Sequence, residues 1–80
     1  MESQELQNPS VILYGSIRRL VPEQGFGFIV DDAGMDWFFV ADGVREGVLD
    51  RIWPGERVGF RREWTASGPR AVDVHFEQLD

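Results

Sequence analysis

The feature that most constrains the fold is a succession of five short segments rich in β-branched and aromatic residues. Turns containing Gly, Pro or Asp separate them, and none of the segments has the length or the periodicity of a stable helix. Short strands at hairpin spacing leave exposed sheet edges unless the sheet closes on itself. The chain is therefore expected to be all-β, a small closed barrel of five antiparallel strands at residues 11–20, 26–30, 36–40, 57–64 and 70–76.

Two stretches fall outside this strand pattern. The first ten residues have few apolar side chains and end in Asn8-Pro9-Ser10, which predicts a flexible N-terminal arm over residues 1–10. A single domain over residues 11–77 is expected to follow. Residues 41–54 are longer and less regular, and we expect at most one short helical turn there, over residues 42–46.

Composition excludes most enzyme classes. The 80 residues include no Cys and one His, so disulfides, thiolate nucleophiles and Cys-based zinc sites are absent. The acids of the segment 31–36 fit no calcium loop. We therefore expect no enzyme, no cofactor and no metal. No apolar run approaches the ~20 residues of a membrane helix, and the first residues lack the features of a signal peptide. A cytoplasmic, monomeric protein without membrane contact is expected.

The charge balance is acidic overall but uneven along the chain. The formal net charge is -6, and the eight basic residues are all Arg. Overall charge argues against nucleic acid, because neutralisation of phosphates supplies most nonspecific affinity. Arg18 and Arg19 are adjacent, however, as are Arg61 and Arg62. A local basic face on an acidic protein is therefore compatible with this sequence.

The most informative segment is Gly25-Phe26-Gly27-Phe28-Ile29. Alternate side chains of a strand share a face, so Phe26 and Phe28 point one way while the glycines and Ile29 point the other. We expect Ile29, together with Trp37 and Phe39 of the next segment, to lie in the core. If the two strands are antiparallel neighbours, Phe38 joins the two outward rings. Such an aromatic face can stack unpaired bases.

At these residues the sequence resembles the bacterial cold shock proteins. Their first ribonucleoprotein motif is Lys-Gly-Phe-Gly-Phe-Ile, and residues 24–29 are Gln-Gly-Phe-Gly-Phe-Ile; their second is Asp-Val-Phe-Val-His-Phe, and residues 36–41 are Asp-Trp-Phe-Phe-Val-Ala. The resemblance covers residues 15–74 without insertion or deletion. It implies an OB-fold barrel, the cold shock domain, that binds single-stranded RNA or DNA and regulates transcription or translation.

The departures from the family pattern fall on the face that the resemblance makes the binding face. The family's Lys-Trp-Phe of the first strand is replaced by Arg18, Arg19 and Leu20, and other family side chains are replaced by Gln24, Val40, Ala41 and Leu49. Three or four lost stacking partners, at about 1–3 kcal/mol each, predict weak and strongly salt-dependent binding. The nucleic-acid-binding residues expected to remain are Arg18, Arg19, Phe26, Phe28, Phe38 and Arg70.

An alternative function uses the same barrel as a protein-interaction module on a larger machine. Trp53 and Trp64 lie in or beside predicted loops, and Trp is enriched at protein–protein hot spots. Both residues are therefore possible protein contacts.

A further expectation concerns core packing. Trp37 and Phe39 are larger than the Val that the family has at these inward positions, so we expect Ala41 and Gly59 to supply the room. His75, without a constellation around it, is expected at the surface or at a sheet edge.

Overall fold

The computed structural model describes residues 11–77, and the predicted N-terminal arm lies outside the described residues. The strands are β1 (Ile12–Val21), β2 (Phe26–Asp31), β3 (Asp36–Val40), β4 (Arg57–Thr65) and β5 (Gly68–Phe76). Each strand boundary predicted from the sequence agrees within two residues. At most one helical turn was expected between residues 41 and 54, at residues 42–46. The structure has two short 3-10 turns there, Ala41–Gly43, which overlaps the expected range, and Leu49–Arg51. No helix of the described residues has the length and apolar character that crossing a membrane requires.

The five strands close into a barrel in the order β1-β2-β3-β5-β4. Neighbouring strands pair antiparallel, except that β3 runs parallel to β5 where Phe38 pairs with Arg70. This parallel contact closes the barrel and joins two residues that are 32 positions apart in the chain. The all-β, five-stranded barrel expected from the sequence is confirmed, with this one pair of strands parallel rather than antiparallel.

The barrel interior is filled by side chains from all five strands and from the long loop. Trp37 and Phe39 of β3 face inward, as does Ile29 of β2, so the predicted core positions are confirmed. The buried apolar residues of the described part of the chain are Ile17, Ile29, Trp37, Phe39, Val48, Ile52, Val58, Phe60, Ala71 and Val74.

Room for the larger rings comes from a different glycine than expected. A Cβ on Gly27 would lie 2.6 Å from the Phe39 ring and 2.7 Å from the Arg19 carbonyl oxygen, so the absent side chain of Gly27 admits Phe39. The expectation for Gly59 is wrong, because a Cβ there would lie 2.7 Å from Nε2 of His75. The expectation that His75 lies at the surface is also wrong. His75 is 8% exposed, and its Nδ1 lies 2.6 Å from the Asp73 carbonyl oxygen.

An irregularity in β1 determines which of its residues face outward. Ile17 pairs with Ile29 and Arg19 pairs with Phe28, so the strand contains one extra residue, Arg18, at a bulge. Gly15, which precedes the bulge, allows β1 to approach the Val30 carbonyl of β2 closely. The bulge reverses the inward–outward alternation of the strand, and it leaves both Arg18 and Arg19 exposed.

Candidate functional site

Four of the predicted binding residues lie in one row across four strands. Arg19 of β1 pairs with Phe28 of β2, Phe28 with Phe38 of β3, and Phe38 with Arg70 of β5. Directly paired residues project from the same face of a sheet. The row therefore places two phenylalanine rings between two guanidinium groups on the outer surface of the barrel.

Phe26 adds a third ring to this row. The ring centroids of Phe26 and Phe28 are 6.2 Å apart, those of Phe26 and Phe38 5.9 Å, and those of Phe28 and Phe38 5.5 Å. All three rings are partly exposed, while Gly27 and Ile29 between and beside them are buried. The structure therefore leaves a contiguous aromatic surface, which we call the aromatic face, consisting of Phe26, Phe28, Phe38, Arg19 and Arg70.

The cations on and beside the aromatic face form only weak contacts with other side chains. Arg70 lies over Phe38, with Cζ 5.9 Å from the ring centroid, a distance at which a cation–π attraction operates. Arg18, at the bulge, lies 3.8 Å from the Asp36 carboxylate, and both side chains are more than half exposed. An exposed pair of this kind contributes little stability. These guanidinium groups therefore remain accessible to an anion. Arg51, by contrast, lies over Phe76 rather than over the aromatic face.

The β2–β3 hairpin that carries the three rings is fixed by one carboxylate. Asp31 Oδ1 accepts hydrogen bonds from the backbone N–H groups of Ala33 and Met35 at 2.9 and 2.8 Å. Its Oδ2 accepts one from the indole N–H of Trp37 at 2.9 Å. Asp31 thus ties the turn to the inward side of β3, which sets Phe38 outward. Sequence analysis missed this role, although an Asp at the start of a tight turn is the signal for such bonds.

Carboxylates surround the aromatic face. Glu23 lies in the turn Pro22–Gln24 just before Phe26, and Asp42 follows Ala41, whose backbone N–H donates to the Gly25 carbonyl oxygen. These two exposed acids therefore lie at the same end of the face. Asp36 begins β3 at the other end, and Glu63 pairs with Arg70 on the β4 side. The positive charge of the face is therefore confined to its own guanidinium groups.

Three other arginines, two on β4 and one in the loop before it, form ion pairs with carboxylates. Arg57 contacts Asp32 and Glu77, each at 2.8 Å. Asp73 accepts hydrogen bonds from Arg45 at 2.7 Å and Arg61 at 3.0 Å. The bond from Arg45, reinforced by Arg61, lowers the pKa of Asp73 to about 2. Hydrogen bonding to Arg57 likewise lowers the pKa of Asp32. We call this set the ion-paired face.

The two tryptophans of the alternative hypothesis are exposed but lie apart. Trp53 is 69% exposed in the loop before β4, and Trp64 is 63% exposed near the end of that strand. The strand advances by seven steps from Arg57 to Trp64, or about 23 Å at ~3.3 Å per residue. Trp64 also packs edge-on against Trp37, with ring centroids 6.2 Å apart. The structure therefore does not bring Trp53 and Trp64 into one surface.

A shallow cavity of about 270 Å³ lies elsewhere on the barrel. It is lined by Ile12, Leu13, Tyr14, Asp31, Asp32 and Ala33. None of the six predicted binding residues lines it. The three rings of the candidate site are partly exposed on the outer side of the sheet, an arrangement that suits an extended ligand better than an enclosed small molecule.

Comparison with solved structures identifies the fold. A structure of cold shock domains of the Drosophila protein Unr superimposes with a TM-score of 0.71 at 19% sequence identity. The alignment covers 98% of this chain and 32% of that one, so this chain spans about a third of the length of its structural neighbour. No protein-family model and no curated protein matches the chain. The similarity establishes the fold, and the cold shock domain barrel expected from the two motifs is confirmed.

Proposed function

We propose that the protein binds single-stranded RNA or DNA through its aromatic face and holds the bound segment unpaired. In this role it influences transcription or translation by competing with base pairing, without any covalent step. The Unr structure to which the chain is similar consists of cold shock domains, and this likeness in fold supports the proposal. The alternation of glycine and phenylalanine in β2 supports it independently.

The observation that carries the proposal is the row Arg19–Phe28–Phe38–Arg70. Unpaired bases stack on aromatic rings, and guanidinium groups bind phosphate or stack on bases themselves. Both groups occur here on one exposed surface, in neighbouring strands about 4.8 Å apart. A packed core does not require three phenylalanines on the outer side of a sheet, so a ligand is the simplest account of them.

The expected affinity is modest. The aromatic face has three rings, and replacement of a ring by Ala costs about 1–3 kcal/mol for each base stacked on it. The formal net charge of -6 repels a polyanion as a whole. Binding is therefore expected to be strongest at low salt and to weaken steeply as salt is added.

A titration of the full chain with a thymidine hexamer at two salt concentrations tests this proposal. The side-chain resonances of Phe26, Phe28 and Phe38 should shift at low salt. Tryptophan fluorescence is a weaker probe, because Trp37 is buried and the other two tryptophans lie off the aromatic face. In Phe28→Ala, the affinity should fall by about tenfold or more, since this residue lies between two other members of the row.

Trp53→Ala is the matched control, because it removes a larger and more exposed ring that lies outside the aromatic face. Its affinity for the hexamer should equal that of the unchanged protein. If the unchanged protein and Trp53→Ala both fail to bind the hexamer at low salt, the proposal is wrong. It is also wrong if Trp53→Ala weakens binding as much as Phe28→Ala does. A protein partner that co-purifies and is released by Trp64→Ala would instead support the interaction-module hypothesis.

A further inference from the structure

The three phenylalanine rings form a compact triangle rather than an extended line. Its sides are 5.5, 5.9 and 6.2 Å between ring centroids. A base covers one ring when it stacks, so such a triangle offers places for two or three bases. The family pattern would extend this surface through the aromatic positions of β1, but Arg19 and Leu20 occupy them here.

The two cations of the row limit the number of phosphates that the aromatic face can bind. Arg19 and Arg70 are separated by three strand spacings, or about 14 Å at ~4.8 Å each. Each guanidinium serves one phosphate or one base at a time. Among residues 11–77, neither has an ion pair with a carboxylate, unlike Arg45, Arg57 and Arg61. Arg18 lies beside the row and faces the Asp36 carboxylate at 3.8 Å, so its charge is offset there. The aromatic face therefore has charge for about two phosphates.

The carboxylates around the face oppose any longer contact. Glu23 and Asp42 lie beyond the Phe26 end, Asp36 lies at the other end, and Glu63 lies beside Arg70. A strand that continued past the rings would bring its phosphates within one Debye length, about 8–10 Å, of these acids. Each additional nucleotide then meets an exposed carboxylate or, at the Asp36 end, the mutually offset charges of Arg18 and Asp36 instead of a further available cation.

From these three observations we infer that the ligand of the aromatic face is a segment of two or three unpaired nucleotides, with the surrounding acids excluding a longer contact. The inference rests on the proposed function. Suitable ligands are strand ends, short single-stranded gaps and small loops, because each of them exposes a few bases with few neighbouring phosphates. A long single strand gains nothing from its remaining nucleotides except more positions at which to bind.

A length series measures this site size directly. Thymidine oligomers of two, three, four, six and nine nucleotides are titrated into the full chain by calorimetry at low salt. After division by the number of possible positions on each oligomer, the affinity should rise from two to three nucleotides and then change less than about twofold. The slope of log affinity against log salt should be about −1.4, the value for two phosphates on a single strand.

Neutralising the surrounding acids tests the reason for the limit. Glu63→Gln and Glu23→Gln should each raise the affinity for the hexamer by about two- to threefold while leaving the trimer within about 1.5-fold. Glu46→Gln is the matched control, since it removes the same charge from the long loop beside Arg45, whose guanidinium is bound to Asp73. It should not change the ratio of hexamer to trimer affinity.

The outcomes separate the two proposals. Absence of binding at every length overturns the proposed function, and the site size falls with it. Binding whose corrected affinity keeps rising tenfold from three to six nucleotides, or a salt slope of about −3 or steeper, overturns the site size alone. An unchanged hexamer-to-trimer ratio in Glu63→Gln and Glu23→Gln overturns the acidic limit. A plateau at three nucleotides with an altered ratio in these variants supports the inference.

Discussion

The aromatic face and the ion-paired face use the same residue type in opposite ways. On the ion-paired face, Arg57 and Arg61 form hydrogen bonds of 2.8–3.0 Å with carboxylates. On the aromatic face, Arg70 lies over a ring, and Arg18 beside that face is 3.8 Å from the Asp36 carboxylate. Cations bound at short range contribute to folding, whereas loosely held cations remain accessible to a ligand. Overall charge therefore says little about which surface of this protein an anion meets.

The two faces also differ in what lies beneath them. Gly27, under the aromatic face, abuts the buried ring of Phe39 and a backbone carbonyl. Gly59, under the ion-paired face, abuts the imidazole of His75 and the ring of Tyr14. A core ring and a backbone carbonyl cannot yield without strain. The atoms nearest to Gly59 are all side-chain atoms, and Tyr14 among them is 39% exposed. The support beneath the aromatic face is consequently the more rigid of the two.

The largest predicted effect follows from this difference in support. Gly27→Ala should lower the free energy of unfolding by about 3 kcal/mol, the upper range for overpacking, while Gly59→Ala should cost about 1 kcal/mol. Urea denaturation of both variants at neutral pH measures the two values. Equal losses would show that the two faces are supported alike, and a larger loss in Gly59→Ala would reverse the comparison.

The next effect concerns pH and belongs to the ion-paired face alone. Because the pKa of Asp73 is lowered to about 2 in the folded protein, its carboxylate stabilises the fold above the unfolded pKa, and this contribution is lost as pH falls from about 4 to 2. Asp73→Asn should lower the free energy of unfolding by about 1–2 kcal/mol at pH 7, after allowance for partial exposure, and by almost nothing near pH 2.

Asp50→Asn provides the control for this pH dependence, because Asp50 is an exposed acid in the turn Leu49–Arg51. Thermal unfolding at pH 7, 4 and 2 compares the two variants with the unchanged protein. Nucleotide binding at pH 7 should be the same in all three, since neither residue lies on the aromatic face. A constant deficit of Asp73→Asn at every pH would contradict the assigned role of its ion pairs.

The smallest effect separates the arginines of the two faces. Arg70→Gln should weaken binding of a thymidine trimer by about two- to fivefold and leave stability within about 0.5 kcal/mol, because its contact is a partly exposed cation–π pair. Arg57→Gln should lower stability only slightly, because its ion pairs are exposed to solvent, and leave binding unchanged. Calorimetric titration and urea denaturation of both variants give the four values. The same loss of binding in both would remove the distinction between the faces.

Much of the fold was predictable because local patterns and barrel closure agree. The β3 strand was predicted with its observed bounds, and the β2 strand to within one residue, since each is a β-rich segment between turns. The inward positions of Trp37 and Phe39 followed from alternation. His75 was misplaced because its burial depends on the empty space above Gly59, on a neighbouring strand. Such pairing across strands has no signal within the local sequence.

The sequence by itself determined that Phe26 and Phe28 share a face, because alternation along one strand requires no knowledge of other strands. Tertiary structure decided which cations join them. A strict alternation from the buried Ile17 would turn Arg19 inward, but the bulge at Arg18 turns it outward beside Phe28. Arg70, 42 residues beyond Phe28 in the sequence, reaches the same row only because β3 and β5 pair. Register between strands is a property of the closed barrel, so it emerges only when the chain has folded.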